Sequence, residues 1–285
     1  MNIIDIGELQ DTALKVREHI IKMSGNGGCF IGASLSCTDI IVYLYKRFLN
    51  INPYNLANED RDFFFLSKGH DVPALYGTLA ELGIINKERL RNHLKLNDDI
   101  YWHPNKKIPG VEFHAGSLGH LLSVSMGVAY DCMLNRQNNK IVVILGDGEL
   151  NEGSNWEAIL VASALKLNNL LVIIDRNQFQ ANTRTELLIP LEPLERKFEA
   201  FDWEVVTCNG HDFLSIEEAI SGIYMFTQRP AVVIADTIRG KGLPSIENKA
   251  DRWFCNFSET EIKGLLNELY NKEKTQLVSE ILTVR

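Results

Sequence analysis

Two short apolar runs, separated by a stretch with helical periodicity, constrain the fold of this chain more than any other feature. The runs are 141–145 and 170–175, and the helical stretch is 156–167. Short β-branched runs are typical of buried strands in a parallel sheet, and parallel strands need a crossover connection between them. The pattern predicts a βαβ unit within an α/β fold, in which helices sandwich a parallel β-sheet.

Polar residues follow both runs directly. Gly146-Asp147-Gly148-Glu149 comes after the first, and Asn177 comes shortly after the second. The carboxyl ends of neighbouring parallel strands lie at one sheet edge, so Asp147 and Asn177 are expected to face each other. A carboxylate and an amide oxygen suit Mg²⁺, which completes its shell with phosphate oxygens and water, and Gly148 lets the backbone approach a phosphate. A lone Gly-Asp-Gly is usually a tight turn, so the prediction of a metal–diphosphate site depends on the paired spacing.

The remaining periodicities extend this fold along the chain. Further strands are predicted at 63–66, 203–207 and 231–235. Helices are predicted near 5–23, 37–49, 73–83, 87–94, 119–135, 155–166, 191–199, 214–226 and 259–270. No linker is evident, so residues 1–285 are expected to form a single domain.

Composition excludes several classes of function. The net charge of −8 argues against a nucleic-acid-binding surface, which needs a basic stripe. No apolar run approaches the roughly 20 residues that span a bilayer, and the N-terminus lacks a basic leader, which predicts a cytoplasmic protein without membrane contact. The 5 cysteines are odd in number and include no Cys-x-x-Cys pair, which favours buried reduced thiols.

The spacing of the two polar loops resembles the thiamine-diphosphate-binding motif of transketolases and related enzymes. A stretch of 27 residues separates Gly-Asp-Gly from Arg176-Asn177, and 146–158 is similar to transketolase in particular. Segments 66–76 and 116–120 resemble the family's two cofactor loops, and 239–242 resembles a late loop near the diphosphate.

The resemblance covers almost the whole chain but only half of the usual enzyme. A complete transketolase also carries a pyrimidine-binding domain and a C-terminal domain. The resemblance therefore implies the N-terminal subunit of a split transketolase, completed by a C-terminal transketolase-like partner in an α₂β₂ assembly.

The same resemblance implies cofactors and site residues. The cofactors are thiamine diphosphate and Mg²⁺, or Ca²⁺ in its place. The implied metal-binding residues are Asp147, Asn177 and Phe179, and the implied catalytic residues are His70, His103 and Glu152. The implied cofactor-binding residues are His70, Gly116, Ser117, Leu118, Gly146, Asp147, Gly148, Glu149, Asn177 and Lys241.

Each catalytic candidate also has a purely structural interpretation. His70 follows a predicted strand and could be a surface hydrogen-bonding residue, although the resemblance favours contact with the cofactor phosphates. His103 could contact the hydroxyl and carbonyl groups of the donor, or equally pack its loop. Glu152 resembles a glutamate that relays protons between two active sites, and it could also stabilise a helix start.

The lysines near the motifs are expected to be solvated, as most lysines are. This applies to Lys68, Lys106 and Lys107, whereas Lys241, between two glycines, is the best candidate for a diphosphate contact.

Two other cofactors are less well supported than magnesium and thiamine diphosphate. His103, His114 and His120 match no tight zinc spacing. No Gly-x-Gly-x-x-Gly opens the helix after the first strand, which argues against NAD.

The departures from the family concern the substrate pocket. Phe30 stands where transketolases have a histidine that serves the substrate, and Phe254 replaces a second histidine after Trp253. A correctly placed acid–base group contributes about 10² to 10⁴ in rate, so an ordinary sugar-phosphate transketolase is not expected. The first hypothesis is transfer of a two-carbon ketol unit from a specialised ketose-type donor to an aldehyde acceptor. The alternatives are a carboligase with a 2-oxo acid donor and a catalytically silent half.

Overall fold

The elements alternate between strands and helices, as the sequence predicts. The structure is a computed structural model and describes residues 5–226 and 228–278. In chain order the elements are α1 (Ile6–Ser24), α2 (Ile31–Ser36), α3 (Thr38–Tyr43), β1 (Phe63–Leu66), α4 (Val72–Glu81), α5 (Leu121–Leu134), β2 (Ile141–Gly146), α6 (Gly153–Ala164), β3 (Leu170–Arg176), β4 (Phe179–Gln180), β5 (Thr183–Arg184), α7 (Thr185–Leu188), α8 (Leu194–Ala200), β6 (Glu204–Asn209), α9 (Phe213–Phe226), β7 (Ala231–Asp236) and α10 (Glu259–Asn271).

Five of these strands form one parallel sheet in the order β1-β2-β3-β7-β6. Side chains of each central strand alternate between two hydrophobic cores, because successive residues of a strand point to opposite faces. Val142 and Ile144 pack with the core that contains α1, α3, α4 and α9, whereas Val143 and Leu145 pack with the core that contains α5, α6 and α8. The prediction of a parallel sheet sandwiched by helices is confirmed.

The differences from prediction are local. Residues 31–36, which lie outside the predicted helices, form the short helix α2. The predicted helix 37–49 divides into α3 and a π-helical turn, Leu44–Phe48. The predicted helix 87–94 is a 3₁₀ segment, Lys87–Asn92, whose first turn is capped by Asn86.

A small hairpin that the sequence pattern did not reveal covers the end of β2. Strands β4 and β5 pair antiparallel after Gln178, which has a φ of 67°. The hairpin presses Gln180 onto the turn after β2, where a Cβ on Gly148 would lie 2.7 Å from the Gln180 Cβ. Gly148 is therefore needed for the hairpin to close over the turn.

Within residues 5–226 and 228–278, none of the helices combines the length and apolar character that a bilayer span requires.

Candidate cofactor and metal site

A cavity of about 380 Å³ opens where β1, β2 and β3 end. It collects most of the predicted site residues: His70, His103, Gly116, Leu118, Gly146, Asp147, Gly148, Glu149, Asn177 and Phe179 line it. Ser117, Glu152 and Lys241 are not among its lining residues. The cavity also contains Lys68 and Arg239, which the sequence pattern did not assign to the site.

Asp147 is a buried carboxylate whose hydrogen-bond partners are all neutral. It is 3% exposed and accepts the N–H groups of Gly148 at 2.8 Å and Gln178 at 2.6 Å, and the Thr185 hydroxyl at 3.3 Å. Burial, reinforced by the negative charge of Asp175, raises the pKa of Asp147 to about 7. A cation beside this carboxylate would remove the cost of burying its charge.

Asn177 is held beside Asp147 by the register of β2 and β3. Its side-chain NH₂ donates to Asp175 at 3.1 Å, and its side-chain oxygen accepts the N–H of Phe179 at 3.0 Å. The amide is thereby oriented. The N–H of Gln178 reaches Asp147 directly, which brings the end of β3 against the turn after β2 as the spacing predicted.

The donor chemistry of this corner fits a hard cation. Asp147 offers a carboxylate and Asn177 an amide oxygen, and Phe179 can contribute only through its backbone carbonyl. Oxygen donors of this kind suit Mg²⁺ or Ca²⁺. Among the described residues, no group of three or more His, Cys, Asp or Glu side chains is placed to hold a metal ion.

Lys68 is buried, so the prediction of a solvated side chain is wrong. It is 1% exposed and forms ion pairs with both Asp71 and Asp175. Burial alone would lower the pKa of Lys68, but these two carboxylates raise it well above its ordinary value. Asp175 also accepts the hydroxyls of Ser36 and Thr237. This network fixes the carboxylate that orients Asn177.

Arg239 is a buried cation with unused hydrogen-bonding capacity. It is 2% exposed, its Nη1 donates to the carbonyl of Ala181, and its Nε and Nη2 have no partner within the described residues. Burial lowers the pKa of Arg239 to about 10. An anion bound in the cavity would accept hydrogen bonds from these two donors and balance the buried positive charge.

Lys241 lies elsewhere, although only Gly240 separates it from Arg239. Its carbonyl accepts Nε of Arg17 at 3.1 Å, and its side chain borders a different surface pocket with Asp39 and His211. Gly240 has a φ of 78°, a conformation that turns the chain between the two basic residues. The structure thus brings Arg239, rather than Lys241, to the cavity.

Glu149 ties three loops together. It accepts the Ser67 hydroxyl after β1, the N–H of Gly119 at 2.9 Å and the N–H of Gly146 at 3.2 Å. These bonds use both carboxylate oxygens. Glu149 therefore shapes the cavity wall, whereas Glu152, at the start of α6, is exposed outside it.

Both predicted histidines line the cavity. Burial lowers the pKa of His70, which the Asp71 carboxylate at 3.4 Å only partly offsets, and burial also lowers the pKa of His103. Both are therefore neutral near pH 7 and can accept a proton. The carbonyl of His103 accepts the Tyr76 hydroxyl at 3.1 Å, which anchors its loop.

The Asp147 carboxylate and the Arg239 guanidinium show whether the expected cofactor fits the cavity. Within the described residues, Asp147 forms no ion pair and Arg239 has two donors without a partner, and both residues line one cavity. A divalent metal bound to a diphosphate would satisfy both groups together. The residues present therefore fit a metal-bound thiamine diphosphate.

Comparison with known proteins agrees with this geometry. Residues 17–283 match the family described as "Transketolase, thiamine diphosphate binding domain". The chain belongs to the transketolase family. It is 40% identical to one of the subunits of the apulose-4-phosphate transketolase of Actinobacillus succinogenes, over 86% of this chain and 89% of that protein. It is 33% identical to the SqwG component of the 6-deoxy-6-sulfo-D-fructose transketolase of Clostridium sp., over 92% of this chain and 96% of that protein.

Full-length transketolases match over part of their length. The human enzyme is 31% identical over 93% of this chain but only 43% of its own length. The crystal structure of transketolase from Campylobacter jejuni superposes with a TM-score of 0.84 at 28% identity, covering 94% of this chain and 43% of that one. These matches confirm the fold and the prediction of a transketolase-type transferase that acts with a second subunit. They do not favour the carboligase or the silent half.

Proposed function

We propose that this chain binds the diphosphate end of thiamine diphosphate for a two-component transketolase. The complex transfers a two-carbon ketol unit from a ketose-type donor to an aldehyde acceptor. The observation that carries the proposal is the pairing of unmatched charges, Asp147 and Arg239, on one cavity of a transketolase-family fold.

The chain's own residues have distinct roles in this reaction. Asp147, Asn177 and the carbonyl of Phe179 hold Mg²⁺, or Ca²⁺ in its place, and Arg239 meets the diphosphate. Thiamine diphosphate, when bound, supplies the carbanion chemistry that breaks and forms the carbon–carbon bond. His70 and His103 are neutral imidazoles that can accept a proton from a substrate hydroxyl and return it.

A partner subunit completes the site, and an exposed apolar face supports this part of the proposal. Helices α5 and α6 each contain a single charged residue, Asp131 and Glu157, and each has both buried and exposed apolar side chains. Leu134 is nevertheless 62% exposed and Leu160 57%, and Tyr130 and Val161 are also exposed. Glu152 is exposed at the start of α6, which suits its proposed proton relay between subunits. An α₂β₂ assembly in the cytoplasm is part of the proposal.

The substrates are proposed to be specialised sugars or related keto compounds. Two of the relatives are named for apulose 4-phosphate and for 6-deoxy-6-sulfo-D-fructose.

Calorimetry on the assembled complex tests the metal assignment. Asp147→Ala should abolish Mg²⁺-dependent binding of thiamine diphosphate, because it removes the anionic metal ligand. Asn177→Ala should weaken binding less, because it removes a neutral ligand. Asp11→Ala, at an exposed position of α1, is the matched control and should leave affinity unchanged. Wild-type affinity in Asp147→Ala would refute the metal site.

Reconstitution tests the division of labour. The purified chain should show no ketol transfer, and activity should appear when the C-terminal transketolase-like subunit is added. Turnover by this chain alone would contradict the proposal.

A further inference from the structure

One side of the cavity is formed by contacting aromatic rings. We call Phe30, Trp102, Trp253 and Phe254 the aromatic wall. The Phe30 ring centroid lies 5.0 Å from that of Trp253 and 5.1 Å from that of Phe254, and Phe254 lies 5.7 Å from Trp102. Phe30 and Trp253 reach the cavity surface. The two phenylalanines that replace family histidines therefore pack together, with Phe30 at the cavity surface.

The backbone holds this wall in place. Cys29, before Phe30, and Cys255, after Phe254, exchange both N–H···O bonds at 3.0 Å. Gly28 has a φ of 91°, and a Cβ there would lie 2.6 Å from the Phe254 ring. The wall is thus a fixed surface, and the glycine that it needs is present.

The imidazoles of His70 and His103 adjoin the wall. The Phe30 ring centroid lies 5.4 Å from that of His70, in an edge contact, and 6.4 Å from that of His103. Phe30 and both imidazoles therefore lie side by side on the cavity surface. A substrate that enters the cavity beside the metal and the diphosphate would meet hydrogen-bonding groups at the imidazoles and none at Phe30.

A phenyl ring cannot replace the water that hydrates a hydroxyl group. A hydroxyl pressed against the wall loses those hydrogen bonds, at a cost of about 1–3 kcal/mol in protein sites. A methyl or methylene group in the same place is instead stabilised by burial. The wall therefore discriminates between C–H and O–H at one substrate position.

We propose that the aromatic wall selects acceptor aldehydes without a hydroxyl group on the carbon that follows the aldehyde carbon and lies against Phe30. This proposal rests on the ketol transfer proposed above. The fragment that leaves the donor and the acceptor that replaces it would be bonded in turn to the same carbon of the transferred two-carbon unit, so they would occupy the same space. The wall thus acts on both substrates.

Two aldehydes of equal size test this selection in the reconstituted complex. Propanal and glycolaldehyde differ by a methyl in place of a hydroxyl, and hydroxypyruvate serves as the ketol donor. The ratio of kcat/KM for propanal to that for glycolaldehyde should fall about 10- to 100-fold in Phe30→His, the range that one polar or apolar contact supplies.

Two control variants separate the wall from general effects. Phe30→Leu keeps the surface apolar and should retain the wild-type ratio. Phe113→His makes the same change at a position that is 46% exposed and outside the wall, and it should also retain the ratio. Calorimetry should give wild-type affinity for thiamine diphosphate in Phe30→His, since the wall contacts the substrate.

Three outcomes would overturn the inference. An unchanged ratio in Phe30→His, with ketol transfer intact, refutes the wall's role while leaving the proposed function standing. A loss of cofactor affinity in Phe30→His makes the wall part of the cofactor pocket. Failure of the wild-type complex to transfer a ketol unit to either aldehyde refutes both proposals.

Discussion

Replacing Lys68 by methionine should destabilise the fold strongly. Methionine keeps the length and most of the volume of the side chain but leaves Asp71 and Asp175 buried without their shared cation. Breaking a buried ion pair by removing one partner costs about 3–5 kcal/mol. With an unfolding entropy of about 2 cal/mol/K per residue, a loss of about 4 kcal/mol in a chain of 285 residues lowers Tm by about 7 °C.

Urea unfolding followed by tryptophan fluorescence measures this loss. Lys22→Met is the matched control, because Lys22 is 51% exposed and pairs with Glu18 on the surface of α1, where such pairs contribute about 0.3–0.5 kcal/mol. Adding Asp71→Asn to Lys68→Met should recover part of the loss by removing one uncompensated charge. A cost for Lys68→Met within about 1 kcal/mol of the Lys22→Met value would show that the buried network does not stabilise the fold.

Two further predictions concern the cavity charges. The pKa of Asp147 is about 7 in the folded chain and 3.8 ordinarily, so its ionisation destabilises the metal-free fold as pH rises from about 4 to 7. Asp147→Asn removes this ionisation, so the stability gained over wild type should be larger at pH 8 than at pH 4, by on the order of 4 kcal/mol in the free energy of unfolding. A gain that is the same at both pH values in urea unfolding would contradict this. Arg239→Met should weaken thiamine diphosphate binding about 10- to 100-fold by calorimetry, as expected for a charge-assisted hydrogen bond, whereas Lys241→Met should have little effect. Equal losses in these two variants would refute the assignment of Arg239.

The local sequence pattern predicted the central strands of the sheet and the pairing of Asp147 with Asn177. The β-branched runs became β2 and β3 because such residues fit a strand buried on both faces. Parallel register then placed Asp147 and Asn177 together without any knowledge of the rest of the fold. The strand expected at 203–207 begins one residue later, since the backbone N–H of Trp203 instead donates to the carbonyl of Phe198 at 3.2 Å.

The burial of Lys68, the position of Arg239 and the aromatic wall depend on contacts that the local sequence pattern does not show. Lys68 is sequentially close to Asp71, but the contact with Asp175 that completes its burial exists only in the folded sheet. The choice between Arg239 and Lys241 depends on the backbone turn at Gly240, which a pattern of alternating glycines does not resolve. The contact between Phe30 and Phe254 joins segments more than two hundred residues apart, so sequence could identify both replacements without showing that they form one surface.

The concentration of buried acid at this sheet edge has a thermodynamic consequence. The carboxyl groups of Asp71, Asp147 and Asp175 lie near Lys68 and Arg239, and Lys68 is engaged by the first and the last. Asp147 repels a free diphosphate and attracts a free metal ion, so each ligand alone meets an incompletely matched site. Affinities coupled in this way are reciprocal: metal strengthens cofactor binding by the same factor as cofactor strengthens metal binding. If the proposed metal site is correct, chelation of the metal should therefore loosen the cofactor as well, and the two should leave the protein as a cooperative pair.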